Sequence, residues 1–268
     1  MVYEDLLKRY VFLDKSFGVN ELQQILNLEG NLSVCAEDIF LDRQVILHFF
    51  SPSKRQFFER IEQLSIPYLQ TLYTHFELKG HLSPSRDISI AVLEKPTIGN
   101  FEDFIKTFPL KETLFDVIRS LLRSVVVLEN MDFPLKALSS TSILVTKPEE
   151  STRLIAKISL ESLWNYHKAI TPEATAGGRL RSNVAPELLI NTTYSIHNPI
   201  SWSVGALLFE LFTGEHPLEN PKKFELNAAF DQLLERIPKP LNTIVEHMLL
   251  LNPKQRWDCS QALQQLSP

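Results

Sequence analysis

The pattern of hydrophobic positions favours β-strands in the first third of the chain. Gln44–Phe50 and Asp87–Lys95 are short runs rich in Val, Ile and Phe, and each is bounded by polar or proline-bearing turns. Between them, apolar residues within Ser53–Leu64 recur at spacings of three and four, which predicts an amphipathic helix that ends before Pro67. The first third is therefore predicted to be a small sheet that carries one helix.

Beyond residue 100 the pattern favours helices. Leu114–Glu129 and Trp202–Phe212 are apolar on nearly every face, which in a soluble protein predicts helices buried inside a lobe. Leu241–Leu251 predicts a further helix, and strand-like runs on either side of Lys147–Thr152 predict a hairpin. The predicted fold class is α+β, with an antiparallel sheet and one helix first and a mainly helical part second.

The composition excludes two broad classes of protein. With 44% hydrophobic and 22% charged residues over 268 positions, the chain is neither disordered nor too short for a large core. Its length fits one large domain or two lobes. A net charge of −5 leaves no broad basic field to hold a phosphate backbone, so nucleic acid is not an expected partner.

The cysteines and the apolar runs bear on the location of the protein. Cys35 and Cys259 are far apart and lack metal-ligand spacing, so a reducing compartment is expected. The first residues are acidic where a secretory leader is basic, and no apolar run reaches the roughly 20 residues of a membrane helix. We therefore expect a cytoplasmic protein without a membrane partner, although signals of specialised secretion systems would escape this test.

Three motifs follow one another in the second half of the chain. Ala185–Glu187 reads A-P-E, Trp202–Pro217 contains W-S-x-G and then F-E-L-x-T-G-x-x-P, and Met248–Trp257 reads M-L-L-L-N-P-K-Q-R-W. Together they resemble the end of the activation segment, the central helix and a C-terminal segment of the protein kinase family. The resemblance implies a bilobal, serine/threonine kinase-like domain with an N-lobe at residues 1–95 and a C-lobe at 96–268.

The resemblance extends back through most of the chain. Ala36–Phe50 resembles the stretch that ends in the family's strand lysine, and Leu64–Tyr73 resembles L-x-H-P-N-I-V-x-L-Y. Val92–Glu94 falls at the hinge strand, and Leu128–Val145 aligns without gaps on the segment that contains the catalytic H-R-D motif. In the family, the glutamate of A-P-E forms a largely buried ion pair with the arginine of the last motif. The resemblance therefore implies a structural pair between Glu187 and Arg256.

The same resemblance places the family's catalytic positions on side chains of different chemistry. The strand lysine falls on His48, its helix glutamate on Phe57, the catalytic aspartate on Ala137, the metal-binding asparagine on Ser142 and the metal-binding aspartate on Leu160. Glu59 and Glu62 are near enough to Phe57 for a slipped alignment to place the helix glutamate on one of them. Alanine has no carboxylate to accept or orient a hydroxyl proton, and leucine cannot coordinate Mg²⁺. We therefore expect no catalytic residue and no metal site.

Three side chains remain candidates for holding a nucleotide, namely His48, Ser142 and Glu161. His48 is shorter than lysine and mostly neutral at pH 7, so packing or hydrogen bonding against the helix is favoured over ligand binding. Glu161 is next to the metal-binding position, where a solvated or structurally paired carboxylate is favoured over a metal ligand. Gly30 is the one glycine in Ile25–Val34, so a hairpin turn is favoured there over a phosphate-covering loop.

A further position concerns the shape of the catalytic loop. In active family members an aspartate at the start of the central helix anchors the backbone of the H-R-D loop, and that position is Ile200 in this chain. Leu135 replaces the histidine of the loop. The resemblance thus predicts that an apolar contact has replaced a polar anchor.

The resemblance to a kinase without its catalytic groups implies a pseudokinase. We expect a scaffolding or regulatory module that needs no cofactor and binds a protein partner, through surfaces such as Leu160–Val184 and the helix around Phe57. The alternative is a divergent ATP-dependent phosphotransferase, a protein kinase that uses His48, Glu161 and Ser142 with ATP and Mg²⁺ in a rearranged site.

Overall fold

The computed structural model describes residues 3–14, 32–50, 55–63, 66–78, 88–107, 111–131, 133, 135–149, 151–161, 163, 183–189, 198–220 and 225–266. The chain divides into two compact units, Met1–Pro96 and Thr97–Pro268. Gly30 and most of Leu160–Val184 lie outside the described residues, and so do the predictions made for them.

The first unit is an antiparallel sheet with helices. Its elements are α1 (Tyr3–Arg9), β1 (Tyr10–Phe12), β2 (Leu32–Asp38), β3 (Arg43–Phe50), α2 (Arg55–Glu62), β4 (Leu72–Leu78) and β5 (Ile88–Glu94). The five strands lie in the order β1-β2-β3-β5-β4, and every neighbouring pair is antiparallel. The predicted sheet and helix are present, and α1 is an additional short helix.

Strand β3 contributes buried side chains on both of its faces. Alternate residues of a strand point to opposite faces, so Val45 and Leu47 lie on one face and His48 on the other. The first pair belongs to a buried cluster that includes Leu6 of α1 and Tyr10 of β1. Because α1 buries Leu6 completely, this short helix covers part of the sheet.

The second unit is mainly helical. Its elements are β6 (Gly99–Asn100), α3 (Phe101–Thr107), α4 (Lys111–Asn130), a 3₁₀ turn (Ser140–Ser142), β7 (Ile143–Thr146), β8 (Ile155–Ile158), α5 (Pro186–Leu189), α6 (Pro199–Thr213), β9 (Leu218–Asn220), β10 (Glu225–Leu226), α7 (Phe230–Leu234), α8 (Leu241–Met248) and α9 (Cys259–Gln265). Strands β7 and β8 form the predicted hairpin, and β6 pairs with β7.

Helix α6 lies in the core of this unit. Its residues from Pro199 to Phe209 are all buried, as its apolar pattern predicts. Gly205 is required by close packing, because a Cβ atom there would lie 2.9 Å from the Cβ of Met248 on α8. The two helices approach each other too closely for any side chain at this position.

Two further observations concern the cysteines and the helices. Cys35 on β2 is exposed, whereas Cys259 at the start of α9 is buried, and burial raises the pKa of the Cys259 thiol. Within the described part of the chain, no helix combines the length and the apolar character needed to cross a bilayer.

Candidate functional site

His48 lies in the middle of the sheet of the first unit and is almost fully buried. Antiparallel pairing places it opposite Ser33 of β2, and its Nδ1 atom lies 2.8 Å from the Ser33 hydroxyl oxygen. Its ring stacks on Phe50 at a centroid distance of 5.8 Å and lies 6.1 Å from Phe58 of α2. The side chain at the strand-lysine position is thus hydrogen-bonded and packed between aromatic rings.

Helix α2 meets the sheet through aromatic side chains. Phe57 and Phe58 are both buried and contact each other edge to face at 5.3 Å. Phe58 also lies 4.3 Å from Phe50, measured between ring centroids. His48, Phe50, Phe57 and Phe58 therefore form a cluster, called here the aromatic cluster. It occupies the place where the resemblance puts a lysine–glutamate pair.

The loop that aligns with H-R-D lies in the second unit and is buried. Leu135, Ala137 and Leu138 expose almost no surface, and Ile200 of α6 is fully buried as well. Leu138 donates its backbone N–H to the Ser203 hydroxyl at 2.7 Å, and the same hydroxyl donates to the Leu138 carbonyl oxygen at 3.1 Å. A polar contact from α6 to this loop is therefore present, at a residue other than the family's aspartate position.

Ser142 uses its polar atoms within the loop and the hairpin. Its hydroxyl oxygen accepts the Ser139 backbone N–H at 3.2 Å and lies 2.6 Å from the Ser139 hydroxyl. Its backbone carbonyl accepts the Ser159 N–H at 2.9 Å, which brings the start of the Leu160–Glu161 segment beside it. Ser142 is 2% exposed, and its hydroxyl helps to close the turn between Ser139 and β7.

Leu160 and Glu161 begin a turn that follows β8. Leu160 is fully buried, and the Leu163 N–H donates to the Ser159 carbonyl at 3.1 Å to close the turn. Glu161 is partly exposed in the same turn. The side chain at the metal-binding aspartate position is thus an apolar part of the core, and the neighbouring carboxylate belongs to the turn.

Glu187 and Arg256 form a buried, bidentate ion pair. The Arg256 guanidinium donates to the two Glu187 carboxylate oxygens at 2.7 and 3.1 Å, and the two side chains are 0% and 5% exposed. Arg256 also donates through Nε to the Leu250 carbonyl and stacks over the Trp202 ring at 5.1 Å. The structure therefore brings together the two residues that the resemblance pairs, and Trp202 of α6 is in contact with them.

A surface groove of about 530 Å³ lies beside the loop that aligns with H-R-D. It is lined by α3, by the Ser139–Thr141 turn, by Asn183 and by three residues of α6, and it is called here the α3–α6 groove. The residues of α6 are Leu207, Glu210 and Leu211. Apolar side chains from both helices line it, together with the carboxylates of Glu102 and Glu210 and the ammonium of Lys106. The Ser140 hydroxyl donates to Glu102 at 2.6 Å. The groove thus combines an apolar surface with hydroxyl and carboxylate oxygens.

One carboxyl group of the second unit has a shifted pKa. Burial and the nearby Asp258 carboxylate raise the pKa of Glu129, at the end of α4, to about 7. Asp258 caps α9 by accepting the Gln261 N–H at 2.7 Å. Glu129 therefore belongs to the packing of α4 against α9 and lies outside the degenerate catalytic positions.

The kinase-like motifs do not point to Ser203 or to the acidic residues of the α3–α6 groove. Ser203 is part of W-S-x-G, and Glu210 is part of F-E-L. Their roles depend on which loop lies opposite α6, and spacing along one helix does not reveal that. A serine inside an otherwise apolar helix is the signal that could have drawn attention to Ser203, because a buried hydroxyl needs a partner.

Comparison with known proteins identifies the fold. No family model matches the chain. The chain is 23% identical over 188 residues to the serine/threonine-protein kinase Pink1, mitochondrial, of Tribolium castaneum, a match that covers 65% of this chain and 33% of that protein. It also superimposes on the crystal structure of Rad53 1–466 in complex with AMP-PNP with a TM-score of 0.68 at 19% identity, covering 97% of this chain and 65% of the other.

These matches show that the chain has a protein kinase-like fold. The N-terminal antiparallel sheet and the mainly helical second part are the α+β arrangement predicted from the sequence, and that prediction is confirmed. The chain spans about a third of the length of the Pink1 relative and 65% of the Rad53 chain.

Proposed function

We propose that this protein is a pseudokinase, which binds a protein partner and does not transfer phosphate. The observation that carries the proposal is Ala137, a fully buried alanine at the position of the catalytic aspartate. An alanine methyl group can neither orient a substrate hydroxyl nor accept its proton. The loop around it is buried and hydrogen-bonded, which supports a structural role for the segment.

The residues at the nucleotide positions fit Mg²⁺-ATP poorly. His48 is engaged by the Ser33 hydroxyl and by aromatic rings, and Leu160 offers no oxygen to a metal ion. The Ser142 hydroxyl is hydrogen-bonded within its own turn. These engagements support a protein that works without ATP or a metal ion.

The α3–α6 groove supports the binding of a protein partner. Among the described residues that line it, Glu102 and Glu210 provide two carboxylates against the single ammonium of Lys106, together with apolar side chains of both helices. Charge complementarity therefore favours a partner segment that presents arginine or lysine next to apolar side chains. We propose that the partner inserts such a segment into the groove.

Nucleotide binding and phosphate transfer test the absence of catalysis. A ligand that binds only the folded state must raise the melting temperature. Because we propose that the protein does not bind nucleotide, we expect no rise with millimolar ATP and Mg²⁺. We also expect no transfer of labelled phosphate to added protein substrates. A melting shift that Glu161→Ala abolishes, together with phosphate transfer, would support the divergent phosphotransferase instead. A rise in melting temperature without phosphate transfer would agree with a pseudokinase and would show that it binds nucleotide.

Peptide binding tests the proposed partner chemistry. The probe is a short synthetic peptide with arginine and leucine side chains, and the control peptide has glutamate in place of arginine. We expect Glu210→Lys to weaken the binding of the arginine peptide about tenfold or more, since a repulsive charge replaces an attractive one. Glu246→Lys, which makes the same charge change at an exposed residue of α8, is the matched control. Equal losses in both variants would contradict binding in the groove.

A further inference from the structure

A single hydroxyl group joins α6 to the loop that precedes the α3–α6 groove. Ser203 accepts the Leu138 N–H at 2.7 Å and donates to the Leu138 carbonyl at 3.1 Å. Both residues are fully buried, so these backbone groups would lack a water partner if the hydroxyl were removed. The contact therefore fixes the backbone of Leu138 against α6 in both directions.

The contact between Ser203 and Leu138 lies next to two elements that line the groove. Leu138 directly precedes the Ser139–Thr141 turn, which lines one side of the groove. Ser203 lies one helical turn before Leu207 and two turns before Glu210, which line the other side from α6. The hydroxyl thus ties together two of the elements that line the groove.

Ser203 also lies close to the position of the aspartate that anchors this loop in the protein kinase family. The family's aspartate position is Ile200, whose side chain has no polar atom, and Ser203 follows it by three residues on the same face of α6. Ile200 and Leu135 are both buried, as expected for an apolar contact. The Ser203 hydroxyl gives α6 a directional hydrogen bond to the loop, which an apolar side chain cannot supply.

We propose that Ser203 is the positioning residue of the α3–α6 groove. By holding Leu138, it fixes the turn that carries the Ser139, Ser140 and Thr141 hydroxyls and so keeps them in place for a partner segment. The ligand part of this proposal rests on the proposed function, whereas the positioning of the turn does not.

Another serine of the second unit provides a matched control. Ser120 on α4 accepts the Ala156 N–H at 2.6 Å and donates to the Val117 carbonyl at 2.8 Å, and it is also buried. Like Ser203, it accepts a backbone N–H from another element, although it donates within its own helix, and it is not among the described residues that line the groove. A merely structural role for Ser203 predicts the same consequences for Ser203→Ala and Ser120→Ala.

The experiment compares these two variants by melting temperature, by hydrogen exchange resolved to single amides and by binding of the arginine–leucine peptide. We expect both to melt at lower temperature, because each leaves buried backbone groups unpaired. Only Ser203→Ala should accelerate exchange at the amides of Leu138, Ser139 and Ser142, and it should weaken peptide binding about tenfold. Ser203→Cys, which keeps the shape with a weaker donor, should give intermediate values if Ser203→Ala does not fold.

Exchange at Leu138–Ser142 decides the proposal. If these amides exchange at the same rate in Ser203→Ala as in Ser120→Ala, the positioning role is wrong, whatever the peptide does. If the exchange difference is found and wild-type protein does not bind the peptide, the positioning role stands and the proposed partner chemistry fails. Peptide affinity that Ser203→Ala leaves unchanged, with wild-type protein binding, would overturn the link between the hydroxyl and the groove.

Discussion

The two units of this chain differ at the positions where the protein kinase family carries charged pairs. In the first unit the aromatic cluster, in which His48 packs against Phe50 and Phe58, lies at the positions that align with the family's lysine–glutamate pair. In the second unit the Glu187–Arg256 pair has both members and is bidentate and buried. A buried charge is costly unless its partner is present, so such pairs are expected to be kept or lost as a unit.

The difference indicates what each pair is needed for. A pair that joins A-P-E to the last motif holds the packing of the helical unit, with Trp202 beneath it. A pair that contacts phosphate is needed only when phosphate is bound, and apolar side chains can hold the helix to the sheet in its place. The Glu187–Arg256 pair thus supports the packing of the helical unit, and the aromatic cluster packs α2 against the sheet.

The largest expected effect comes from removing one member of the retained pair. Arg256→Ala would leave Glu187 buried without its cation, and we expect it to lower the free energy of unfolding by about 3–5 kcal/mol. Denaturant-induced unfolding measures this loss. The double variant Glu187→Gln, Arg256→Met should be less destabilised than the single one, because no charge remains unpaired. A double variant as unstable as the single one would show that lost packing, and not the uncompensated charge, dominates.

Reintroducing a charge into the aromatic cluster should have the next largest effect. In His48→Lys an ammonium group would lie among Phe50, Phe57 and Phe58 without a carboxylate, and we expect a loss of about 2–3 kcal/mol. His48→Phe tests the packing alone and should be better tolerated. Adding Phe57→Glu to His48→Lys should recover part of the stability if the cluster and the ion pair are alternative solutions at one place. If the double variant is no more stable than His48→Lys alone, the cluster and the ion pair are not alternative solutions at this place.

Glu129 differs from the two pairs compared above, because its charged neighbour, Asp258, is another carboxylate. Its pKa is raised from 4.5 to about 7, so the folded protein binds more protons than the unfolded chain between these values. Stability should therefore decrease as the pH rises from about 4.5 to about 7, by about 1–2 kcal/mol once solvent screening of this partly exposed group is allowed for. Glu129→Gln should flatten this part of the pH profile, as measured by unfolding at a series of pH values.

The smallest effect is expected for an ion pair on the surface. Arg55 of α2 contacts Glu59 at 2.6 Å and also Glu77 of β4, but all three side chains are at least one-third exposed. Solvent and salt screen such contacts, so Arg55→Ala should change the denaturation midpoint little, and less at high salt. A loss comparable to that of Arg256→Ala would show that burial does not explain the difference between the pairs.

The sequence was sufficient to predict the long elements and the order of the fold. The apolar helix α6, the hairpin of β7 and β8 and helix α2 follow from the spacing of hydrophobic residues, and the kinase-like arrangement follows from motifs in order. Helix α1 was not predicted, because it is short and because Leu6 is the one buried residue among those of the helix whose side chains are described. Local spacing carries no information about the burial of such a single residue.

The candidate site could be predicted only at positions where single residues align with the motifs of the protein kinase family. Packing or hydrogen bonding was the favoured interpretation of His48, and its contacts with Ser33 and Phe58 are of both kinds. The Ser203–Leu138 contact joins residues 65 positions apart, and the described lining of the α3–α6 groove comes from four separate segments. Such features depend on tertiary packing, which periodicity along the chain does not specify.

The two cysteines have a practical consequence. Thiol-directed reagents need an accessible sulfur that ionises, so Cys35 should react and the buried Cys259 should not. A fluorophore could therefore be attached at one site without any engineering of the chain. Cys35 lies on β2 two residues from Ser33, the hydrogen-bonding partner of His48. The native protein thus offers a single optical reporter next to the aromatic cluster, suited to following ligand addition or unfolding of the first unit by itself.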